Sequence, residues 1–313
     1  MNQLPQKILR PLLGLLALVS LSSASADPST ASAKEESGTS LSIATSSTGK
    51  ISLSGGGIRG KASTRATALG LQQALGGSDH VSFSAGLSYD RVVIRQAEGA
   101  ALPLPEKLST LTAGVTAQWQ AAPAWQVTGI AATVWSSGAN RRGFGTSLGS
   151  ASRGFVVVGM VAHPFSETFS ASAGAAYNSK GEGVLKFGPV LSLEWKFAES
   201  WTASLGYPTT GISYQLSEQW KFGLEIEGLG GTYYVDQDPL PNQAGQPSLA
   251  RTQLQFYDVR AGLSATYALK PGTILRLTFG EVLGQEFNYP QRQLKLKSDS
   301  HAVYGAVALQ LGF

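Results

Sequence analysis

The chain ends on HAVYGAVALQLGF, residues 301–313, and the reading of this stretch decides the fold. Val303, Val307, Leu309, Leu311 and Phe313 alternate with Tyr304, Ala306, Ala308, Gln310 and Gly312. A period of two describes a strand with unlike faces, here one apolar and one small or polar. Apolar toward lipid, small or polar toward a lumen and aromatic at the interface is the pattern of a closing strand in an outer-membrane β-barrel. Such a strand, ending on Phe313, is expected to be what the barrel-assembly machinery engages.

The alternation recurs upstream. Val81, Phe83, Ala85, Leu87 and Tyr89 are interleaved with Ser82, Ser84, Gly86, Ser88 and Asp90, and Leu111 to Trp119 with Thr110 to Gln118 in the same way. Further strands are predicted over 125–135, 154–162, 169–177, 185–197, 201–207, 211–216, 219–235, 252–269, 273–287 and 301–313. The fold class is therefore an all-β, transmembrane antiparallel β-barrel over residues 81–313. It has about 12 strands, or about 14 if a weakly patterned pair within residues 51–80 joins it, since bacterial barrels carry even numbers. Connections alternate between tight turns, as at 121–124, 164–168, 198–200 and 270–272, and long ones at 96–106, 136–153, 236–251 and 288–300. That matches short periplasmic turns and longer external loops, and with a periplasmic start at Val81 the parity returns Phe313 to the periplasm.

Aromatic residues cluster at strand ends. Trp119, Trp125, Trp195, Trp201, Trp220 and Phe313 flank the tight turns or the terminus, while Trp135, Tyr89, Tyr177, Tyr207, Tyr233, Tyr257 and Phe287 sit near the long loops. Rings with an apolar body and a polar edge favour membrane interfaces, so these residues predict two girdles. A soluble exported β-sandwich would also alternate, but its outward face would be polar. The segments 201–207 and 211–216 are too short to span at ordinary tilt, and they predict a low lip in the wall.

Residues 1–26 read as a cleaved signal peptide: Lys7 and Arg10, an apolar run from Pro11 to Val19, and Ala24-Ser25-Ala26 before Asp27. The run is too short to span a bilayer. Residues 27–50 read as a flexible periplasmic leader rich in Ser, Thr, Ala and Gly. The chain has no cysteine, which excludes a lipoprotein anchor and disulfide or thiol chemistry. Removing the signal peptide takes Lys+Arg from 24 to 22 against 20 acidic residues, so no nucleic-acid partner is expected. Outer-membrane lipid and lipopolysaccharide are the expected partners.

Function should be written on the lumen face. Taking the apolar set as lipid-facing, Lys186, Glu194, Lys196, Lys221, Glu225, Glu227, Asp258, Arg260 and Arg276 point inward and form one charged wall. On the lipid side an Arg or Lys near the midplane would cost about 2–4 kcal/mol. Mixed charges on one wall can polarise an aqueous pore, or they can be a salt-bridged filling. Glu281 falls on the lipid side of Leu277 and Phe279, and a bulge at Gly280 would turn it inward.

Catalysis has little support. His80, His163 and His301 lie near strand ends, and only Asp299 and Ser300 stand beside His301 as partners for it. The same scarcity leaves no transition-metal site and no cofactor is expected. Gly55-Gly56-Gly57-Ile58-Arg59-Gly60-Lys61 imitates a phosphate-binding loop, but Ala62 stands where the magnesium-binding hydroxyl belongs, so a Gly-rich turn is expected.

Four stretches carry a resemblance: LPLPEKLSTLTAGV (102–115), SLGYPTTGISYQLSEQWKFGLEIEGLGGTYYV (204–235), FYDVRAGLSATYAL (256–269) and GQEFNY (284–289). Through them residues 82–313 resemble an uncharacterised family of bacterial outer-membrane barrels, a domain of unknown function. The resemblance implies an outer-membrane barrel and transfers no catalytic or binding residue. Three functions follow as expectations. The first is porin-like passage of small solutes. The second is a closed structural or surface-binding barrel acting through its loops, where Arg141, Arg142 and Arg153 could meet lipopolysaccharide phosphates. The third is an outer-membrane lipid hydrolase.

Overall fold

Strands alternating large apolar and small polar residues are stable in a bilayer only if every backbone N–H and C=O is paired, which requires a closed sheet. The computed structural model, which describes residues 38–97, 101–139, 148–181, 186–206, 210–240 and 248–313, has that closure. The expected signal peptide lies outside the described residues, as do Arg141, Arg142 and Tyr207.

The strands are β1 (Thr39–Thr48), β2 (Ile51–Gly55), β3 (Ile58–Gly77), β4 (Val81–Gln96), β5 (Lys107–Ala122), β6 (Trp125–Ala139), β7 (Arg153–Pro164) and β8 (Phe169–Asn178). They continue as β9 (Phe187–Ala198), β10 (Trp201–Gly206), β11 (Thr210–Gln215), β12 (Trp220–Val235), β13 (Thr252–Lys270), β14 (Thr273–Tyr289), β15 (Leu294–Ser298) and β16 (Ala302–Gly312). β1 closes the sheet: it pairs antiparallel with β16, from Ser40↔Gly312 to Thr48↔Tyr304, and on its other edge with β3. The result is a closed antiparallel barrel of 14 strands, β1, β3 to β14 and β16.

The leader expected over residues 27–50 is thus corrected: residues 39–48 are the first strand of the wall. Its composition misled because outward Leu41 and Ile43 are its only large apolar residues, while Thr45 and Ser47 take the upper outward positions. Of the weak pair expected within 51–80, β3 joins the wall and runs 20 residues, whereas β2 does not; the other strand that brings the wall to 14 is β1. The Gly-rich stretch is an ordered hairpin turn. Gly56 and Gly57 at its tip hold φ of 57° and 78°, the left-handed values of a two-residue turn.

β2 and β15 carry the sheet upward beyond the membrane. β2 pairs with β3 and with β15, and β15 pairs with β14, so the expected long loop at 288–300 is mostly a hairpin turned by Pro290–Arg292. On the opposite side the wall is low. β10 and β11 form a hairpin of six residues each, whereas β12 beside β11 has 16 and β9 beside β10 has 12. Above this lip, the tops of β6 and β12 meet in a short parallel pairing, Tyr234↔Ser137 and Val235↔Gly138. The external end is therefore a narrower ring of nine strands, β2 to β6 and β12 to β15, standing on the wider one. Among the described residues, β12 has no ladder partner on its β11 side between Ile226, paired with Thr210, and Tyr234.

The outer surface of the wide ring is apolar. Phe83, Leu87, Val115, Phe155, Val157, Leu191, Leu224, Leu263, Leu277, Phe279 and Val307 are all exposed there, which in water would be a large liability and in lipid is the required solvent match. Leu191 is 55% exposed on β9. Leu191→Arg is expected to destabilise the barrel by about 2–4 kcal/mol in bilayers; unchanged denaturant unfolding in liposomes would contradict this orientation.

Candidate functional site

The lumen divides into three regions, each traceable to which residues alternate inward. The first fills the narrow ring. Ile51 and Leu53 on β2, Ala62 on β3, Ile94 on β4, Leu108 on β5, Val235 on β12, Leu254 and Phe256 on β13, Phe287 and Tyr289 on β14 and Leu296 on β15 are buried together in one apolar core. Leu102 and Leu104, from the Leu-Pro-Leu-Pro segment before β5, sit in the same core at 0% and 1% exposure. Tyr289 donates its hydroxyl to the Pro103 carbonyl at 2.8 Å, and the Gln96 side chain donates to the Leu102 carbonyl and accepts from its N–H, both at 2.9 Å. This segment is a plug: two prolines stiffen it, and its carbonyls are satisfied by side chains of the ring. It was missed in the sequence because four consecutive residues of that kind look like an ordinary loop.

A bulge supplies two of the large aromatics of this core. Between Val282 and Gly284 the β14 register against β13 slips by one, so Gln285, Phe287 and Tyr289 turn inward. Phe287, turned in by the bulge, and Tyr233, inward by the unbroken alternation of β12, both expected in the external girdle, are core residues at 0% and 6% exposure. Glu281 lies before the bulge and stays outside, against the expectation of a bulge at Gly280. There it meets His301 Nδ1 at 3.2 Å, on the outer face of the barrel.

The second region is a polar network beneath the plug. Arg260 on β13 reaches Asp258 through Nε at 3.2 Å and a terminal nitrogen at 2.8 Å, and donates to Ser46 on β1 at 2.9 Å. Its guanidinium lies 5.0 Å from the centre of the Tyr304 ring. Glycine at 262 and 280 makes room for that ring, since a Cβ at either would lie within 2.6–2.8 Å of Tyr304 atoms. Lower on the same wall Arg276 pairs with Glu225, which also accepts from Ser264 at 2.7 Å. Asp258 and Arg260 are 0% and 2% exposed, so this part of the wall is filled by side chains.

The third region faces it. Val134 on β6, Val156 and Val158 on β7, Ala176 on β8 and Val190 on β9 form a second apolar cluster, with Ile130 and Met160 packed against it. Their alternation partners Phe155, Val157 and Leu191 are the exposed lipid-facing set, so these valines point inward. A strand apolar on both faces hides such a patch from sequence reading, because only one face can be assigned to lipid.

Of the predicted charged wall, Lys221, Glu225 and Glu227 share the inward parity of β12, Asp258 and Arg260 that of β13, and Arg276 that of β14. Glu194 and Lys196 have the inward parity of β9, on the side of the apolar cluster, with Lys196 exposed toward the periplasmic end. Lys186 is a correction: it is exposed in the turn before β9, its carbonyl accepting from Asn178 N–H at 2.8 Å. Trp119, Trp125, Trp195, Trp201, Trp220 and Phe313 lie exposed at the periplasmic strand ends. Trp125 contacts His163, and Trp195, Trp201 and Trp220 contact Phe197, Tyr214 and Tyr267, while Phe165 meets Phe169 in the same band. Trp135 is on the outward face near the external end of β6, paired in register with Arg153.

His163 belongs to the periplasmic band, stacked on Trp125 at 4.3 Å with Nδ1 at 2.9 Å from the Ala124 carbonyl. Ser300 Oγ accepts from Ser52 N–H at 2.9 Å. Among the described residues no group of three metal-ligating side chains comes together.

A family model described as "Domain of unknown function (DUF6268)" matches residues 153–310, just over half of the chain. No curated protein sequence matches. Among solved structures, the COG4313 outer membrane channel from Pseudomonas putida F1 is similar at 10% identity and a TM-score of 0.50, over 90% of this chain and 97% of that one. The P. putida toluene transporter TodX aligns at 12% identity and 0.44 over 92% and 93%, and the NanC porin at 8% and 0.39 over 87% and 98%. At these identities the likeness to the first is one of fold, that of an outer-membrane β-barrel.

The Asp258–Arg260 pair predicts its own test. Arg260→Gln leaves a buried carboxylate without its cation and is expected to lower stability by about 3–5 kcal/mol. Asp258→Asn combined with Arg260→Gln should recover most of that loss in equilibrium unfolding, and an additive double variant would show the two are not coupled.

Proposed function

Since the chain belongs to the family described as "Domain of unknown function (DUF6268)", whose description assigns no activity, we propose its function from the lumen: passage of small, partly apolar solutes across the outer membrane. The observation that carries this reading is the two-faced lumen. A wall that only had to be filled would need no apolar patch facing a charged network across it. Val134, Val156, Val158 and Val190 offer a surface for hydrocarbon, while Glu225, Glu227 and Arg276 offer one for a polar end.

The route is not a straight axial pore. The plug closes the external end of the narrow ring, and the wall is lowest at β10 and β11, next to the apolar patch on β9. Among the described residues β12 has no ladder partner on its β11 side from Glu227 to Tyr233, and this edge borders that lip. Gly228 and Gly230 on this edge are buried, so the gap is occluded in this conformation and passage there requires a displacement. The filled external end also favours a second reading, a closed barrel that presents its loops.

Conductance separates the two. Leu102→Asp with Leu104→Asp introduces two charges into the plug core and is expected to release the segment, raising single-channel conductance in planar bilayers severalfold over the unsubstituted protein. Equal conductance in both would remove the plug as the barrier. Solute uptake by neither protein in liposomes would leave the closed, loop-presenting barrel. A third measurement addresses the lip: two residues inserted into each of β10 and β11, supplying ladder partners to Glu227 and Gly228, should abolish uptake while leaving the plugged conductance unchanged.

A further inference from the structure

The outward face of the narrow ring holds a second feature that passage through the lumen does not use. Along β3 the outward residues climb through Leu75, Gln73, Leu71 and Leu69, exposed and apolar but for Gln73, to Thr67, and then become Arg65, Ser63, Lys61 and Arg59. Ala62 and Thr64, the alternates, are buried, which fixes the three cations on the outside. The change occurs at the same level on the neighbouring strands. Leu69 pairs with Tyr89 and Tyr89 with Leu111, the last apolar row; the next rows are Thr67, Arg91 and Ser109, then Arg65, Val93 and Lys107. One row higher, Arg95 of β4 lies exposed opposite Ser63. On the other side Arg59 is opposite Ser54 of β2, and Ser54 is opposite Lys297 of β15, exposed beside buried Leu296.

Lys297, Arg59, Lys61, Arg65 and Arg95 thus share one outward surface of four adjacent strands, which begins at Arg65, about 13 Å along β3 from Leu69, and climbs to Arg59 and Lys297, about 33 Å from it. None of the five has a carboxylate partner among the described residues, and the outward positions of β2, β3 and β4 hold no acid. The acidic neighbours are Glu286 of β14, in register opposite Lys297 but paired with Lys295 at 2.6 Å, Asp299, whose N–H donates to the Ser52 carbonyl, and Glu106 at the start of β5. Spacing follows from strand geometry: roughly 7 Å from Arg59 to Lys61, about 13 Å from Lys61 to Arg65 with Ser63 between them, and about 4.8 Å between strands. Such a grid of guanidinium and ammonium groups can hold two phosphates at once, with arginine giving paired, charge-assisted hydrogen bonds to each.

We propose that this face is a binding site for the phosphorylated headgroup of an outer-leaflet lipopolysaccharide, clamped by Arg59, Lys61, Arg65, Arg95 and Lys297 on the outside of the barrel. The occupant follows from position and charge. Arg65 faces sideways just above the apolar rows and Arg95, Lys61, Arg59 and Lys297 continue the cationic surface outward, the depth range of a phosphorylated glycolipid headgroup whose hydrocarbon lies against Leu69, Leu71 and Leu87. The site is independent of the lumen, and its failure would leave the channel reading untouched.

The test uses folded protein in detergent micelles and fluorescent lipid A. The unsubstituted chain is expected to bind lipid A at least tenfold tighter than enzymatically dephosphorylated lipid A, with affinity falling as salt rises. Replacing the five cations by glutamine should cost at least tenfold in lipid A affinity while heat-modifiable migration on gels stays that of a folded barrel. If the fivefold variant does not fold, Lys61→Gln with Arg65→Gln carries the same expectation at about threefold. Arg153→Gln, at the separate external loop, should leave binding unchanged. Equal binding of phosphorylated and dephosphorylated lipid A, equal binding by phosphatidylglycerol, or full affinity in the glutamine variants would each overturn the site.

Discussion

Everything in this molecule depends on β1 being paired on both edges. Thr39 to Thr48 bonds to β16 on one side and β3 on the other, and without it the wall would present two open rows of N–H and C=O groups to hydrocarbon. Each such group is costly in a medium that cannot hydrogen-bond, so the closure is worth far more than the modest side chains of β1 suggest. Leu41 and Ile43 give the strand enough apolar surface on the lipid side. Its remaining serines and threonines are free to be small, and one of them, Ser46, accepts from Arg260 of β13 across the two intervening strands, β16 and β14, of the same wall.

Two structural levels share this one sheet. In the membrane the chain is a wide barrel whose outside is its greasy side; beyond the membrane the sheet narrows and turns the usual way round, apolar in and cationic out. The bulge near Leu283 marks that inversion on β14. Below it Leu277 and Phe279 face lipid, above it Phe287 and Tyr289 face inward and Glu286 faces out to pair with Lys295 at 2.6 Å. A single inserted residue is the cheapest way for one strand to belong to both environments.

The wide barrel was legible because period-two alternation, tight turns and terminal aromatics all report the same solvent boundary, and residues such as Leu191, Leu263 and Val307 obey it without exception. The upper ring was not. Its inward and outward faces follow soluble-protein rules, so Tyr233 and Phe287 read as interface aromatics until register placed them in a core. Nor could pattern alone recover the Leu-Pro-Leu-Pro plug, whose role comes from ring residues more than a hundred positions away, such as Tyr289. The charged wall was visible as residue types at inward positions. What joins them, such as the ring of Tyr304 under Arg260 and the two glycines that admit it, is a property of strand adjacency.

The short hairpin of β10 and β11 also acts on its surroundings. Six residues rise about 20 Å along a strand, and roughly 15 Å along the membrane normal once tilted, against an apolar band about 25 Å tall elsewhere on such barrels. Lipid next to this sector must shorten to match it, thinning the leaflet on one side of the protein only. The molecule therefore carries a direction within the plane of the membrane: neighbours that also prefer a thin bilayer will gather on the side of Leu205 and Ile212, and the opposite flank will meet bilayer of ordinary depth.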